Sequence, residues 1–201
     1  MMPKIQYPLN EHLAWVQWWA CPWQNAHEDW KEGQHATFDT LYQGKQPVWG
    51  VFMGVKACLP PATNPTVLRL ALASSEQLDL ALTLAHDTVN PHAAPTLSES
   101  HHHWCRRLSK ALPPAMLSPD ADPLQLLLSW LDPPIWQRLR LRFPRQRTYE
   151  VEKKSICLEN TSNRLSTLWQ AVVWRVTSLP SDSTPLAHMG KEISDVIPTY
   201  P

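Results

Sequence analysis

His101, His102 and His103 stand just ahead of Cys105, and this cluster is the strongest metal-binding signal in the chain. Imidazole and thiolate groups are common ligands of zinc. Adjacent residues on a helix point about 100° apart, so the three histidines cannot bind one ion together. His101 and Cys105 are one turn apart and could supply two ligands, but no second pair stands at metal-ligand spacing. We therefore predict a solvated polar turn at 101–103, and no metal or other cofactor.

The motifs of the common catalytic sites are missing from the sequence. It contains no Gly-x-Ser-x-Gly nucleophile elbow, no His-Glu-x-x-His zinc motif and no Gly-Lys-Ser/Thr phosphate loop. Cys21, Cys58, Cys105 and Cys157 lie tens of residues apart, a spacing typical of buried free thiols in a reducing cytosol. The sequence thus predicts a protein that is not an enzyme and has no small-molecule substrate. The alternative is a metal- or thiol-dependent enzyme built near His101 and Cys105.

The run from 132 to 144 has residue types that suit an electrostatic contact. Three arginines alternate with leucines there, at Arg138, Arg140 and Arg142. A strand would place all three arginines on one face. A helix would turn Trp136, Leu139 and Phe143 inward, and would place Arg138 and Arg142 outward, one turn apart. The acid–proline–proline start of the run favours the helix.

Either conformation predicts an exposed basic patch over residues 138–147, extended by Arg145 and Arg147. Guanidinium groups can bind the phosphates of nucleic acid or the acidic surface of a protein. Lys plus Arg and Asp plus Glu both number 18, so the net charge is zero and no overall field draws the chain to nucleic acid. A protein partner is therefore favoured, and a nucleic-acid-binding regulator that uses this patch is the alternative function.

Hydropathy predicts neither a membrane span nor a secretion signal. No window approaches the ~20 apolar residues that a membrane helix needs. The stretch from Met1 to Pro8 has no apolar signal core. We therefore expect a cytoplasmic protein.

The composition indicates which elements position these side chains. The chain has 20 prolines, 11 tryptophans and only 5 glycines. Proline is favoured in the first turn of a helix, whereas a scarcity of glycine removes the tight turns of an all-β fold. Tryptophan supplies both core packing and contacts with partners. The predicted fold is mostly α, a compact bundle of short proline-punctuated helices, with an N-terminal part that could be irregular or hold a short strand at 46–55.

Helical spacing of apolar residues locates the elements. A tryptophan-rich stripe runs from Trp15 to Trp30 and contains Pro22, which either kinks one helix or starts a second. Further helices are predicted at 64–73, 75–90, 98–112, 122–131 and 162–179, with a new helix start at Asp132. The predicted organisation is a Trp-rich N-terminal region (1–65), a helical domain (66–180) and a flexible tail (181–201).

Three features occur together in the second half of the chain. A tryptophan precedes a double proline, Trp-Gln-Arg-Leu-Arg-Leu-Arg-Phe-Pro follows at 136–144, and an amphipathic helix comes last. Over residues 123–179 this pattern resembles the SctK family, the cytosolic accessory subunits of the sorting platform in bacterial type III secretion systems. The tryptophan-rich opening, Trp15 to Trp30, is similar to the HrpD-like members from plant-pathogen systems.

This resemblance implies a non-enzymatic adaptor in a protein-transport apparatus that serves bacterial virulence. The adaptor would link the cytoplasmic domain of the inner-membrane ring protein, SctD, to the cytosolic pod protein, SctQ, and would lie in the cytoplasm, peripheral to the inner-membrane apparatus. By position, five residues would belong to or support a docking surface: Trp136, Arg138, Arg140, Arg142 and Arg145. The other interpretation, in which Trp136 and the leucines are core and the arginines are solvated, stays open.

Overall fold

The computed structural model describes residues 9–31, 53–91, 97–112, 121–154 and 162–178. Within these ranges all regular structure is helical. The α-helices are α1 (Leu9–Ala20), α2 (Pro65–Leu72), α3 (Ser75–Val89), α4 (Glu99–Ala111), α5 (Pro123–Trp130), α6 (Pro133–Leu139), α7 (Arg145–Lys153) and α8 (Ser162–Ser178). Three 3-10 helices join them: η1 (Pro22–Asn25), η2 (Glu28–Trp30) and η3 (Arg140–Arg142). The predicted mostly α fold is confirmed.

Two of the predicted features fall wholly or partly outside the described ranges. Of the possible short strand at 46–55, residues 46–52 lie outside them, and residues 53–55 do not form a strand. The predicted tail at 181–201 lies outside them altogether.

Short polar side chains and proline start the helices where the sequence predicts. The Asn64 side-chain oxygen accepts hydrogen bonds from the second and third backbone amides after it, at 3.1 and 3.2 Å. Asp122 caps α5 in the same way, with its carboxylate 2.8 Å from the Leu124 amide. Proline occupies the first turn of α2, α5 and α6. Each such cap stabilises its helix by about 1 kcal/mol, which lets helices of eight residues or fewer persist.

Helix α8 lies at the centre of the packing and contacts α2, α3 and α5. Its inward residues are all at most 3% exposed and follow the helical period, as predicted: Leu165, Leu168, Trp169, Val172, Val173 and Val176. Helix α3 also packs on α4 and α5. Helix α5 buries its whole first turn and a half, from Pro123 to Leu127, because it is covered on several sides at once.

The tryptophans of the N-terminal region are mainly core residues. Trp15, Trp18 and Trp19 of α1 are at most 4% exposed and join the same hydrophobic core as α8. Pro22 begins η1 directly after α1, so it starts a second element and does not kink the first. Trp30 lies in a smaller apolar cluster, which also contains Ala26, Met53, Val55 and Leu141. The described part of the N-terminal region therefore packs on the helical remainder.

Candidate docking surface

The run at 132–144 forms a helix, as the acid–proline–proline start predicts, and then tightens into 3-10 geometry at η3. Trp136, Leu139 and Phe143 are buried as expected for the helix. Leu139 and Phe143 belong to the main core, whereas Leu141 belongs to the smaller cluster around Trp30. The run thus lies between two apolar clusters, so few of its side chains can face solvent.

Arg138 is turned into the protein and is only 3% exposed. Its guanidinium stacks over the Trp19 ring at 3.8 Å. Its Nε donates to the Trp19 carbonyl at 3.0 Å, and its two terminal nitrogens donate to the carbonyls of Pro134 at 3.0 Å and Lys56 at 3.2 Å. Burial lowers the pKa of this guanidinium from its usual value. The side chain therefore joins α1, α6 and the segment at 56.

Arg140 makes a charged contact and a backbone contact. One terminal nitrogen donates to both carboxylate oxygens of Glu152, at 2.9 and 3.2 Å, and the other donates to the Met53 carbonyl at 2.8 Å. Gly54 follows with a φ of +69°, and a Cβ at this position would lie 2.7 Å from the Arg140 guanidinium. Glycine is required here because other side chains would be strained by both the positive φ and the close approach.

Arg142 donates to two backbone carbonyls, those of Asn25 and Ala73. Burial lowers the pKa of its guanidinium. Trp19 lies in the last turn of α1, Asn25 ends η1 and Ala73 follows α2. The carbonyls at such helix ends lack intrahelical partners and carry partial negative charge. Arg138 and Arg142 therefore cap helix C-termini that belong to other elements.

The exposed basic patch predicted over 138–147 is wrong for Arg138, Arg140 and Arg142, which are hereafter called the arginine cluster. Most of their guanidinium donors bond to backbone carbonyls or to Glu152, so Arg138 is buried and Arg140 and Arg142 are only partly exposed. The interpretation that the arginines are simply solvated is wrong as well for Arg138. The physical reason is that a guanidinium has five donors in a rigid fork, which suits several carbonyls at once.

Trp136 and Arg145 are also positioned by internal contacts. The Trp136 indole N–H donates to the Glu152 carboxylate at 2.8 Å, and the ring is 4% exposed. The Arg145 Nε donates to the Tyr149 hydroxyl at 3.1 Å, and its guanidinium lies 5.5 Å from the Trp30 ring centre. Trp136 and Arg140 share the Glu152 carboxylate, and Arg140 and Arg145 lie near the same Trp30 ring. Trp136 and Arg138 are buried, whereas Arg140, Arg142 and Arg145 are partly exposed.

The segment that the arginine cluster holds runs along α1. The Trp15 indole donates to the Pro61 carbonyl at 3.1 Å, and the Trp19 indole donates to the Cys58 carbonyl at 2.9 Å. His12 and Thr63 hydrogen-bond at 3.0 Å farther along the same side of the helix. Three side chains of α1 thus fix residues 58–63 beside it.

Large apolar side chains are exposed on α1 and on this segment. Leu13 is 60% exposed, Val16 is 52% exposed and Leu59 is 90% exposed. Leu13 and Val16 are three residues apart and therefore share a face of the helix, while Leu59 lies between the two carbonyls that α1 holds. We call these three residues the α1–loop face. Large exposed apolar side chains are common at protein-binding surfaces, and the sequence did not distinguish these residues from the core.

The histidine–cysteine cluster packs as part of the α3–α4 interface. His102 Nδ1 lies 2.9 Å from a carboxylate oxygen of Asp87, which is 1% exposed. Cys105 is fully buried, and burial raises the pKa of its thiol to about 11. The pKa of His101 is lowered, chiefly by burial and then by the positive charge of Arg175. A thiol with this pKa is protonated at neutral pH and is a poor nucleophile and metal ligand.

Groups of three or more His, Cys, Asp or Glu side chains that could hold a metal ion do not occur within the described ranges. Across the same residues, no helix combines the length and the apolarity that crossing a bilayer requires.

Comparison with known proteins gives no relative. No family model, curated protein or solved structure matches the chain.

Proposed function

We propose that the protein is a non-enzymatic adaptor that binds other proteins through the α1–loop face. The observation that carries the proposal is the exposure of this apolar face on backbone that side chains of the folded body hold in place. Leu13, Val16 and Leu59 are exposed, and the backbone that carries them is held by bonds from Trp15, Trp19 and Arg138.

Rigid support matters for binding because a partner then does not have to order the surface that it contacts. Ordering one flexible side chain at an interface costs about 0.5–1.5 kcal/mol, and mobile backbone adds to this. The segment at 56–61 has no helix of its own, so its conformation depends on the Lys56, Cys58 and Pro61 carbonyl contacts. Arg138 would therefore support a docking surface without touching the partner.

The particular machine is proposed from the sequence resemblance. Residues 123–179 resemble SctK, and the run at 136–144 that carries the resemblance also holds the arginine cluster. On this proposal the protein is cytoplasmic and peripheral to the inner membrane, and links the ring protein SctD to the pod protein SctQ. The apolar α1–loop face would contact one of these two proteins.

The test is partner capture in the native host. A tagged chain carrying Leu13→Glu and Val16→Glu is compared with the unchanged chain and with a matched control, Ala111→Glu, which adds an acid to an exposed position of α4. The double variant should recover at least about tenfold less of the ring or pod component, because two charges placed in an apolar interface cost more than 1.4 kcal/mol. The control should behave like the unchanged chain.

Recovery of ring or pod components at an undiminished level with the double variant would exclude the α1–loop face as the contact. Failure of the unchanged chain to recover any component of a secretion apparatus would exclude the sorting-platform assignment, even if another protein were captured through the same face.

A further inference from the structure

The outer side of α4 carries a stripe of basic side chains. Four of them stand at positions i, i+3, i+4 and i+7: His103, Arg106, Arg107 and Lys110. All four are exposed, and their spacing places them on one side of the helix, opposite the buried Cys105 that packs against α3. We call these four residues the basic α4 face; Ala111 lies on its flank and is not part of it.

The stability of the helix does not account for this stripe. The helix dipole favours a cation only within the last turn, where Lys110 lies. Arg106 and Arg107 come before that turn, and each is one turn from Lys110, a spacing at which like charges destabilise a helix. No ion pair among the residues that the structure describes includes Arg107 or Lys110. The basic α4 face therefore carries positive charge that an acidic partner would neutralise.

A further positive charge lies beside the first half of α4. The Arg175 guanidinium of α8 donates to the Ser100 hydroxyl at 3.3 Å and lies 5.9 Å from the Trp104 ring centre. Burial lowers the pKa of the neighbouring His101, and the positive charges of Arg175 and His102 lower it further. The positive charge of the α4 surface is thus reinforced from α8.

Glu99 indicates which kind of acidic partner fits the basic α4 face. This acid is exposed one turn before His103, and with His102, His103 and Arg106 it lines a cavity of about 330 Å³. A nucleic-acid backbone is negatively charged along its whole length, so Glu99 would repel it at this end. A protein helix can place acids opposite Arg106 and Lys110 and a base opposite Glu99, as paired helices do at their charged flanking positions. The mixed charge pattern therefore favours a protein.

We propose that the basic α4 face binds an acidic helical segment of a partner protein. The contact is exposed, so its affinity should fall as salt is added, because charges are screened over about 10 Å at 0.1 M ionic strength. This surface is separate from the α1–loop face, and the proposal does not depend on the secretion assignment.

Fluorescence anisotropy with the full-length chain tests the proposal. The probe is a labelled synthetic helical peptide that has glutamate at every third or fourth position, on one face. Arg106→Glu with Lys110→Glu should weaken binding at least about tenfold, because two attractive contacts become repulsive. Lys153→Glu with Arg164→Glu is the matched control, since it makes the same change in net charge at exposed positions of α7 and α8. Its affinity should stay within about twofold of that of the unchanged chain.

A charge-swapped probe guards against a general effect of the double variant on folding. In this second peptide lysine replaces every glutamate. It should bind the chain with Arg106→Glu and Lys110→Glu at least about tenfold more tightly than it binds the control variant, because the two variants have the same net charge and differ only in where the acids lie.

Three results would overturn the proposal. One is the absence of measurable binding of the acidic peptide to the unchanged chain, and another is equal affinity of the double variant and the control variant for it. The third is tighter binding of a DNA duplex, or of vesicles that contain phosphatidylserine, than of the acidic peptide at the same ionic strength, which would make the face a phosphate-binding surface.

Discussion

Replacing Arg138 by alanine tests whether the arginine cluster holds the N-terminal region on the helical body. The side chain is 3% exposed and donates to three carbonyls. Truncation leaves the Trp19 carbonyl buried without its donor, at a cost of about 1–3 kcal/mol. The lost stacking contact over the Trp19 ring adds about 1–2 kcal/mol, and the vacated volume adds a further ~1 kcal/mol.

The desolvation cost of the buried cation offsets part of this loss, because no ion pair of the described residues includes Arg138. We therefore expect the free energy of unfolding to fall by about 3 kcal/mol, and the melting temperature by about 10 °C. Arg138→Lys should lose roughly half as much, because an ammonium retains the charge but cannot span three carbonyls in fixed directions.

The assay is denaturant unfolding followed by tryptophan fluorescence, with hydrogen exchange of residues 53–64 measured in parallel. Arg107→Ala is the control, since this arginine is exposed on α4 and its loss should change the free energy by less than about 0.5 kcal/mol. If Arg138→Ala were no more destabilised than Arg107→Ala, the buried contacts would not be a structural support and the reasoning would fail.

Three further predictions concern single side chains. Gly54→Ala should destabilise the fold by about 1–2 kcal/mol in thermal unfolding, since φ is +69° and the new Cβ would lie 2.7 Å from Arg140; unchanged stability would contradict this. Cys105 should resist alkylation at pH 8 while the exposed Cys58 reacts, because a thiol with a pKa of about 11 is only about one-thousandth ionised there; equal labelling in peptide maps would be inconsistent. The pKa of His101 is lowered mainly by burial. Its contribution to stability is therefore present above the unfolded pKa of about 6.5 and is lost as pH falls through the folded value. His101→Gln should flatten the pH dependence of stability between about pH 7.5 and 5.5, and a profile identical to that of the unchanged protein would refute this.

The helix starts could be predicted from sequence because their causes are local. Asn64, Ser98 and Asp122 each satisfy amides two or three residues ahead, so a short window contains all the partners that matter. The buried stripe of α8 is predictable for a related reason, since a 3.6-residue apolar period permits only one inward face.

The direction of the arginines could not be predicted in this way. Arg138 bonds to a carbonyl 119 positions earlier in the chain, and Arg142 to one 117 positions earlier. Alternating arginine and leucine resembles an amphipathic surface element, because the pattern does not show that both faces are covered. The uncapped helix ends that attract the guanidinium groups exist only in the folded arrangement. The exposure of Leu13 and Val16 could not be predicted from the sequence either. Helix α1 has more apolar residues than its inward face can hold, and the pattern does not show which of them stay outside.

Mutations can separate the structural support given by Arg138 from partner binding by the α1–loop face. Comparing the two kinds of variant tests whether binding depends on that support. Arg138→Lys should lower stability and loosen residues 56–61, and should therefore weaken partner capture indirectly. Leu13→Glu with Val16→Glu should abolish capture while leaving the free energy of unfolding within about 0.5 kcal/mol, because both side chains are more than half exposed. Capture by the Arg138→Lys variant should recover when conditions that stabilise the fold, such as lower temperature or added osmolyte, restore the segment. Capture by the double variant should not recover under these conditions. If neither variant recovered, Arg138 would have to contact the partner directly, which its burial in the free protein does not allow without a rearrangement of α1.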